Sequence, residues 1–386
     1  MIPRLMEEAI LKSLELKKII LILGARQVGK TTIIKKIQQK LAESGKKTLY
    51  LNCDSDEERN AVNTTSKVLL EKLLKNTQAL LIDEAQRLEN PGLTLKILYD
   101  NFPNNTIIVT GSSSFELKNK MSDALTGRYI DFTLFPLSFS EVLSYSANSQ
   151  NKILQKEYAQ SLLPQTLLYG FYPEIYLENH PENKELMLRK IVESYLFADI
   201  LSFQRIRNSQ AVKDLAKALA YQVGSEVNEN ELATRLKIDR KTVVSYLDIL
   251  EKAFVIVRVH PFSKNPRREI GRNYKIYFSD LGIRNALIGD FNPVAIRRDV
   301  GFLWENFLFI ERMKKFANQA KPVSLYFWRS YGGAEVDYIE ALPSQKLAAY
   351  EFKYSDGRIS RGAVSFTKQY STKVKLITTE NFFDFI

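Results

Sequence analysis

Short apolar runs alternate with amphipathic stretches over the first 145 residues. Five of these runs have the length and composition of buried strands, at 19–23, 48–53, 79–82, 106–109 and 129–134. A stretch such as 32–41 places its apolar residues at helical spacing. Because strands that alternate with helices are typical of a parallel sheet with helices on both faces, the pattern predicts an α/β domain over residues 1–150.

The pattern becomes mainly helical after this domain. Residues 155–205 are helix-like with breaks at Gly170 and Pro173, and we interpret 151–210 as a helical lid. Two short helices follow, at 229–236 and at 240–251, and Asn228 is the expected N-cap of the first. The three-residue turn between them matches a helix-turn-helix. Strand-like segments at 254–259 and 274–278 flank a basic loop, so residues 211–285 are predicted to form a winged-helix domain.

The last hundred residues predict an α+β domain at 286–386. Residues 336–342 and 346–354 are strand-like, and Pro343-Ser344-Gln345 separates them. They therefore form a predicted hairpin.

The first apolar run leads into a sequence that binds phosphate. Residues Gly24 to Thr31 read GARQVGKT and match G-x-x-x-x-G-K-[ST] between a strand and a helix. Such a P-loop gathers backbone N–H groups around a phosphate chain, and the helix dipole favours the negative charge. Lys30 is expected to contact the β- and γ-phosphates, and Thr31 to place its hydroxyl on magnesium. The predicted nucleotide-binding residues are Gly24, Ala25, Arg26, Gln27, Val28, Gly29, Lys30, Thr31 and Thr32.

The third apolar run continues into a pair of acids in the sequence ALLIDEAQRL. Ligands of open parallel sheets bind at the C-terminal ends of the strands. We expect Asp83 to complete a magnesium shell and Glu84 to act as the general base for the attacking water. The segment 110–114 after the fourth run either supplies a polar side chain to this site or is an ordinary Ser/Gly turn.

Arg128, in the sequence LTGRY, is a candidate catalytic arginine. It can contact the γ-phosphate of its own subunit or, in a homo-oligomer, that of a neighbouring subunit. The alternative is an ordinary surface arginine.

Two carboxylates of the C-terminal hairpin are predicted to oppose each other. If the hairpin is centred near Ser344, Asp337 faces Glu351, and Lys353 lies on the same side of the sheet. A magnesium ion bound by Asp337 and Glu351 removes their repulsion, and Lys353 can then stabilise a hydroxide or a leaving phosphate oxygen. The alternative is a hairpin in which Lys353 simply neutralises Glu335 and Glu351.

The positive charge of the chain is concentrated in one segment. The formal net charge is +11, and residues 235–275 contain eleven basic residues against four acidic ones. This surplus indicates a polyanionic partner, with nucleic acid first and an acidic membrane second. The alternative is a protein-binding winged helix with a solvated basic loop. The predicted DNA-binding residues are Arg240, Lys241, Thr242 and Ser245 on the recognition helix and Lys264, Arg267, Arg268 and Arg272 on the wing.

Composition excludes several classes of protein. The single cysteine, Cys53, allows no internal disulfide, suits a reducing cytosol and is expected to be a core thiol. Two histidines make a Cys/His zinc site untenable. No apolar run approaches the roughly 18 residues of a membrane span, and residues 1–18 lack the pattern of a signal peptide. We therefore expect a cytoplasmic protein without a membrane partner.

Several segments together resemble one family. GARQVGKTT, LLIDEAQRL, TGSSS and LTGRYIDFTLFPLSF are similar to an uncharacterised prokaryotic group of AAA-type ATPases, as are IPRLMEEAI and YGFYPEIY. The resemblance covers nearly the whole chain. It implies a P-loop ATPase domain that uses ATP, a small helical lid and a C-terminal region, but it does not supply a substrate.

The C-terminal pattern Asp…Glu-x-Lys resembles the PD-(D/E)XK nuclease superfamily. Those folds also place a glutamate on a preceding helix, where Glu305 fits. The resemblance implies that Glu305, Asp337, Glu351 and Lys353 form a metal-dependent phosphodiesterase site, with Gln369 as a weaker candidate. Val336 stands before the aspartate in place of proline, and a fold retained without catalysis is the alternative.

These observations predict an ATPase, with ATP and magnesium as cofactors, that acts on DNA through a winged helix and a nuclease-like domain. One alternative is a signalling or assembly ATPase whose nucleotide state governs a protein partner, with an inactive C-terminal domain. Another is a nuclease that ATP hydrolysis merely licenses.

Overall fold

The computed structural model describes residues 2–112, 125–146, 152–196, 206, 208–263, 273–330, 332–342, 346–355 and 357–386. The chain divides into two compact units. The first, here called the sheet unit, comprises Pro3–Pro136 and Ala317–Ala320. The second, here called the C-terminal unit, comprises Met1–Ile2, Leu137–Phe316 and Lys321–Ile386. The finer division into lid, winged-helix and nuclease-like domains stays a prediction.

The strands of the sheet unit lie where the apolar runs predict them. They are β1 (Ile19–Leu23), β2 (Thr48–Asn52), β3 (Ala79–Asp83), β4 (Thr106–Gly111) and β5 (Tyr129–Thr133). All pair in parallel, in the order β2-β3-β4-β1-β5. Every residue of β1 and β3 is buried, which is why these strands are continuously apolar rather than alternating. The predicted α/β fold is confirmed.

Helices connect these strands. They are α1 (Met6–Ser13), α2 (Lys30–Glu43), α3 (Asp56–Val62), α4 (Lys67–Leu74) and α5 (Pro91–Asn101), with 3-10 turns at Leu14–Leu16 and Ala85–Arg87. The helix that follows the P-loop, α2, buries Ile33, Ile34, Ile37 and Leu41, which recur on one helical face. The expected core thiol is also found, because Cys53 is fully buried and burial raises its pKa to about 12.

The C-terminal unit begins with helices, as predicted. They are α6 (Phe139–Ser146), α7 (Lys152–Tyr169), α8 (Pro173–Leu177) and α9 (Pro181–Lys190), followed by a π-helical turn at Ile191–Leu196. The chain breaks between α7 and α8 at Gly170, whose φ of +65° favours glycine. Pro173 then opens α8 at a first-turn position, where a missing N–H costs nothing.

A helix-turn-helix order follows in the same unit. The elements are α10 (Ser209–Tyr221), β6 (Glu226–Val227), α11 (Glu229–Leu236), α12 (Arg240–Lys252), β7 (Ile256–Val259) and β8 (Tyr274–Phe278). Asn228 caps α11 as expected, and Asp239 caps α12. The three strands form an antiparallel sheet in the order β6-β8-β7.

The last part of the chain is the predicted α+β region. Its elements are α13 (Leu281–Ile288), a 3-10 turn at Val294–Ile296, α14 (Val300–Asn318), β9 (Ser324–Arg329), β10 (Glu335–Ala341), β11 (Leu347–Phe352), α15 (Arg361–Tyr370), β12 (Val374–Ile377) and α16 (Phe382–Phe385). The sheet has the order β12-β11-β10-β9, and only β11 and β12 are parallel. Tyr338 pairs with Tyr350 and Ile339 with Ala349, so the predicted hairpin register is confirmed.

Both faces of this sheet are covered. On one face, Val336, Ile339 and Ala349 form a buried cluster with Phe366 of α15. On the other face, the Tyr338 ring lies 5.0 Å from that of Phe309 in α14. The sheet thus lies between α14 and α15, and this packing fixes which side chains of β10 and β11 point to each face.

None of the helices in the described ranges combines the length and the apolar character that a membrane span requires.

Two helical glycines test the packing of helices in the C-terminal unit. A Cβ added to Gly282 in α13 would overlap the carbonyl oxygen of Tyr169, whereas one added to Gly301 in α14 meets no atom within 4 Å. Because overpacking forces the backbone apart, we expect Gly282→Ala to lower the free energy of unfolding by about 1–3 kcal/mol. Gly301→Ala, the matched control, should leave it unchanged or slightly higher. Thermal and urea unfolding measure both, and equal stabilities would contradict this packing.

Candidate functional site

The P-loop follows β1 directly and leads into the first turn of α2. An added Cβ at Gly24 would overlap the carbonyl oxygen of Leu134, and Gly29 has a φ of +97°. Both positions therefore need glycine, the first for close approach and the second for its backbone conformation. Thr31 is exposed on the first turn of α2, and its hydroxyl can reach a ligand from there.

Arg4 holds the loop from the side. Its guanidinium donates to the carbonyl oxygen of Val28 at 2.7 Å and to that of Phe135 at 2.7 Å. The side chain thus ties the P-loop to the segment that follows β5. The P-loop pattern does not predict this role of Arg4, because it specifies no partner so far away in the chain.

Lys30 lies between backbone carbonyls of the P-loop and the carboxylate of Glu84. Its Nζ donates to the carbonyl oxygens of Gly24 at 3.2 Å and of Ala25 at 2.9 Å, and lies 3.9 Å from Oε1 of Glu84. The residue is only 4% exposed. Carbonyl oxygens are weaker partners for an ammonium group than phosphate oxygens are, so a bound phosphate chain can take their place.

Asp83 is held by two hydroxyl groups from the neighbouring strands. Tyr50 on β2 donates to Oδ2 at 2.8 Å, and Thr110 on β4 donates to Oδ1. Burial and the hydrogen bond to Asp83 both raise the pKa of Tyr50, so its hydroxyl stays a donor at neutral pH. A carboxylate offers about four lone-pair sites. Two are engaged here, and the others fit a magnesium ion or its water ligands.

Glu84 is held by its backbone and by its side chain. Its φ of +53° is left-handed, and its N–H donates to Oγ1 of Thr110 at 3.1 Å. Gln86 donates to its Oε2 and also to Oγ of Ser112 at 2.8 Å. Thr110 and Ser112 therefore supply the polar side chains that the sequence left open, while Ser113 and Ser114 lie outside the described residues.

The strand register brings these groups to one edge of the sheet. Ile22 of β1 is level with Thr110 of β4, and Ile82 of β3 is level with Val109. Asp83 is therefore level with Thr110, and Gly24 lies two residues beyond Ile22. The P-loop and the acidic pair meet at the carboxyl ends of the strands, where α/β sheets bind ligands.

The structure does not bring Arg128 to this edge. Ile19 pairs with Tyr129, so Arg128 lies at the opposite end of β1, about 15 Å from the P-loop at the rise of a strand. Its Nε donates to Oδ1 of Asp100 at 2.9 Å, and this ion pair raises its pKa. A contact with a phosphate in its own subunit does not fit this placement. A contact with a neighbouring subunit stays a prediction.

A second group of acids lies in the C-terminal unit. Carboxylate oxygens of Glu305 on α14 and of Glu335 and Asp337 on β10 lie within 4.8 Å of one another. Two of these residues, Glu305 and Asp337, were predicted. Burial and the negative charge of Glu305 raise the pKa of Asp337 to about 7.

Glu351 is not a member of this group. The strand register is as predicted, but the side chains of Asp337 and Glu351 lie on different faces of the sheet, which corrects the predicted magnesium site between them. A β-bulge between Val336 and Ile339 shifts the register against β9, and both residues pack on the α15 face although they are three positions apart. The bulge therefore turns Asp337 towards Glu305 and Glu335. Glu351 accepts from the backbone N–H of Ser360 at 3.0 Å and pairs with Lys353 at 3.2 Å.

Two residues of β8 complete the acidic group. Nζ of Lys275 lies 2.9 Å from Oε1 of Glu305 and also binds Glu335, and the hydroxyl of Tyr277 donates to Glu305 at 2.6 Å. Burial alone would lower the pKa of Lys275, but the charges of Glu305 and Glu335 outweigh it and raise that pKa. Lys275, Tyr277 and Glu335 were missed as site residues. A lysine inside the apolar run YKIYF was the available signal, because a buried lysine needs an acid.

Gln369 and the predicted DNA-binding residues of α12 are exposed or half-buried. Gln369, the weaker candidate, lies on α15 and is exposed. Arg240 pairs with Glu229 at 2.8 Å, and the hydroxyl of Thr242 donates to Asp239 at 2.5 Å. Lys241 is exposed and Ser245 half-buried on α12. The predicted wing residues Lys264, Arg267, Arg268 and Arg272 lie outside the described residues.

Sequence comparisons agree with this geometry in the sheet unit. Residues 16–143 match a family described as an AAA domain. Residues 160–293 and 300–383 match two domains of unknown function, DUF8612 and DUF4143. The first third of the chain is therefore similar to AAA-type ATPase domains, which implies nucleotide binding, and its sheet has the matching P-loop fold.

Relatives that match most of the chain have low sequence identity to it. An uncharacterized protein of Haemophilus influenzae is 27% identical over 76% of this chain and 73% of its own length. One of Methanocaldococcus jannaschii is 26% identical over 77% of this chain and 67% of its own length. The solved structure of AMPPCP-bound DnaA from Aquifex aeolicus is 20% identical, and the match covers 63% of this chain and 86% of that chain. Its TM-score of 0.28 is too low to define a shared fold.

The raised pKa of Asp337 predicts a pH-dependent stability. Between about pH 4 and pH 7, the folded protein keeps a proton on Asp337 that the unfolded chain has lost. The contribution of this carboxyl to the free energy of unfolding therefore falls as the pH rises through that window. We expect Asp337→Asn to gain about 1–2 kcal/mol relative to wild type between pH 5 and pH 8.

Thermal unfolding at several pH values measures this difference. The exposed Asp214→Asn is the control and should differ from wild type by the same amount at every pH. A pH-independent difference for Asp337→Asn would contradict the raised pKa.

Proposed function

We propose that the sheet unit binds ATP with magnesium and hydrolyses it. The observation that carries this proposal is the convergence of Lys30, Asp83 and Glu84 at the carboxyl edge of the sheet. Nζ of Lys30 and Oε1 of Glu84 lie 3.9 Å apart, which is the most direct evidence of this convergence. A base and a phosphate-binding cation so close together form the arrangement that hydrolysis of a γ-phosphate needs.

Each residue has a defined task in this proposal. Backbone N–H groups of the P-loop and the N-terminus of α2 bind the phosphate chain. Lys30 exchanges its carbonyl partners for β- and γ-phosphate oxygens, and Glu84 accepts a proton from the attacking water. Thr31 and Asp83 would hold magnesium, which supplies neutralising charge on the phosphates when bound.

Two substitutions separate binding from hydrolysis. Lys30→Ala should abolish ATP binding, because the buried cation is lost. Glu84→Gln should keep binding and slow hydrolysis by at least about a hundredfold, the contribution of a positioned base. Titration with a fluorescent ATP analogue and steady-state phosphate release measure the two effects.

Exposed residues of the same types serve as controls. Lys47→Ala and Glu89→Gln should behave as wild type, since both positions are exposed. Unchanged turnover in Glu84→Gln would discard the assignment of the base.

We further propose that the ATPase acts on DNA through a winged helix and a nuclease-like domain. The element order from α10 to β8 supports the winged helix, since a helix-turn-helix is followed by an antiparallel strand pair. The exposed Lys241 near the start of α12 supports contact with phosphates or base edges. The mixed sheet between α14 and α15, with acids on β10, supports the nuclease-like fold.

A second candidate is a nucleotide-switched docking protein whose C-terminal domain does not cleave. Lys275 favours it, because its ammonium group already binds Glu305 and Glu335, two of the carboxylates that a nuclease would use for magnesium. Magnesium- or manganese-dependent nicking of DNA that disappears in Asp337→Ala, with the ATPase intact, would contradict this candidate.

Salt dependence tests the DNA role. Phosphate contacts release counterions, so the logarithm of the binding constant for duplex DNA should fall linearly with the logarithm of salt concentration. Lys241→Ala should weaken binding and reduce the slope by about 1, whereas Lys217→Ala on α10 should not. DNA should also stimulate ATP hydrolysis.

Binding that is indifferent to salt would reject phosphate contacts. A protein complex that nucleotide exchange releases would then favour the docking alternative.

A further inference from the structure

We propose that Gln86 is a positioning residue for Glu84, and that it couples the orientation of this base to the end of β4. The inference rests on the proposed ATPase function and adds a residue that the P-loop and acidic motifs do not include. It would explain how the base is kept in one orientation beside Lys30.

The contacts of Gln86 carry the proposal. A side-chain amide nitrogen has two hydrogens, and Nε2 of Gln86 uses them for two different acceptors. One is Oε2 of Glu84, and the other is Oγ of Ser112 at 2.8 Å. Because a carboxylate accepts only from a donor, the amide nitrogen and not its oxygen must face Glu84. The side chain of Gln86 therefore links the end of β3 to the end of β4.

The hydrogen bonds of Gln86 complement the other contacts that hold Glu84. The backbone N–H of Glu84 is bound to Thr110 at 3.1 Å, and Oε1 faces Lys30 at 3.9 Å. Without Gln86, the described contacts would fix the backbone of Glu84 and attract one oxygen, but none would hold the second oxygen. Gln86 thus selects the rotation of the carboxylate about its last bond, which decides where a bound water would meet it.

The oxygen of the same amide provides a second, independent observation. Oε1 of Gln86 is buried and has no hydrogen-bond partner among the described residues. Buried polar atoms in native proteins are nearly always paired, and exceptions occur at functional sites. An amide chosen only for stability would have both ends satisfied. The retained orphan oxygen, beside the proposed base, fits a residue placed for hydrolysis.

Steady-state kinetics with nucleotide titration tests the proposal. Gln86→Met keeps the length of the side chain and removes the donor, and Gln86→Ala removes the side chain altogether. We expect kcat to fall about 10–100-fold in both, with the affinity for a fluorescent ATP analogue within about threefold of wild type. Gln39→Ala, in which an exposed glutamine on α2 is lost, is the control and should leave kcat unchanged.

A double-mutant cycle separates positioning from a merely structural role. If Gln86 acts through Glu84, Gln86→Met should cause little further loss in the Glu84→Gln background, because residues that act as a unit are not additive. Unchanged kcat in the single variants, a loss confined to nucleotide affinity, or an additive loss in the double variant would each overturn the proposal.

The wild-type protein distinguishes this failure from a failure of the proposed function. If the wild type does not hydrolyse ATP, the ATPase proposal itself is wrong. If the wild type hydrolyses ATP and the Gln86 variants match it, only the role of Gln86 is rejected.

Discussion

A carboxylate buried at the end of a strand must be surrounded by donors, and Asp83 imposes this condition on the sheet unit. The residue is 1% exposed, and an unpaired buried charge is among the most expensive features a fold can contain. Donors must therefore come from the strands on either side. Tyr50 on β2 and Thr110 on β4 meet this need only in the observed strand order and register. The geometry of the candidate site at the carboxyl edge of the sheet follows from this requirement.

The two units contain acidic groups with lysines that behave differently. Lys30 contacts two backbone carbonyls, and its nearest acid, Glu84, lies 3.9 Å away, so a stronger anion can displace its partners. Lys275 contacts Glu305 and Glu335 directly, and their negative charges raise its pKa against the effect of burial. The first arrangement is suited to ligand exchange. In the second, an ammonium group of the chain itself already binds two of the carboxylates.

The sequence predicts those features that depend on local patterns. The five strands follow from apolar runs, the P-loop from its spacing, and the hairpin register from the position of its turn, as the pairing of Tyr338 with Tyr350 confirms. What it does not predict depends on distant partners or on a single extra residue. The bulge beside Val336 reverses the face of Asp337, and no periodicity announces it. Arg4 and Lys275 acquire their roles only through residues far away in the chain.

Charge counted along a segment also differs from charge displayed on a surface. The basic surplus at 235–275 includes Lys275, which is buried against Glu305 and Glu335. It also includes Arg240, paired with Glu229, and Arg258, paired with Asp248 and Glu251. Glu229, Glu305 and Glu335 lie outside the counted window, so the count overstates the field that a polyanion would meet. Among the described residues of this window, Arg235 on α11 and Lys241 on α12 keep their charges exposed.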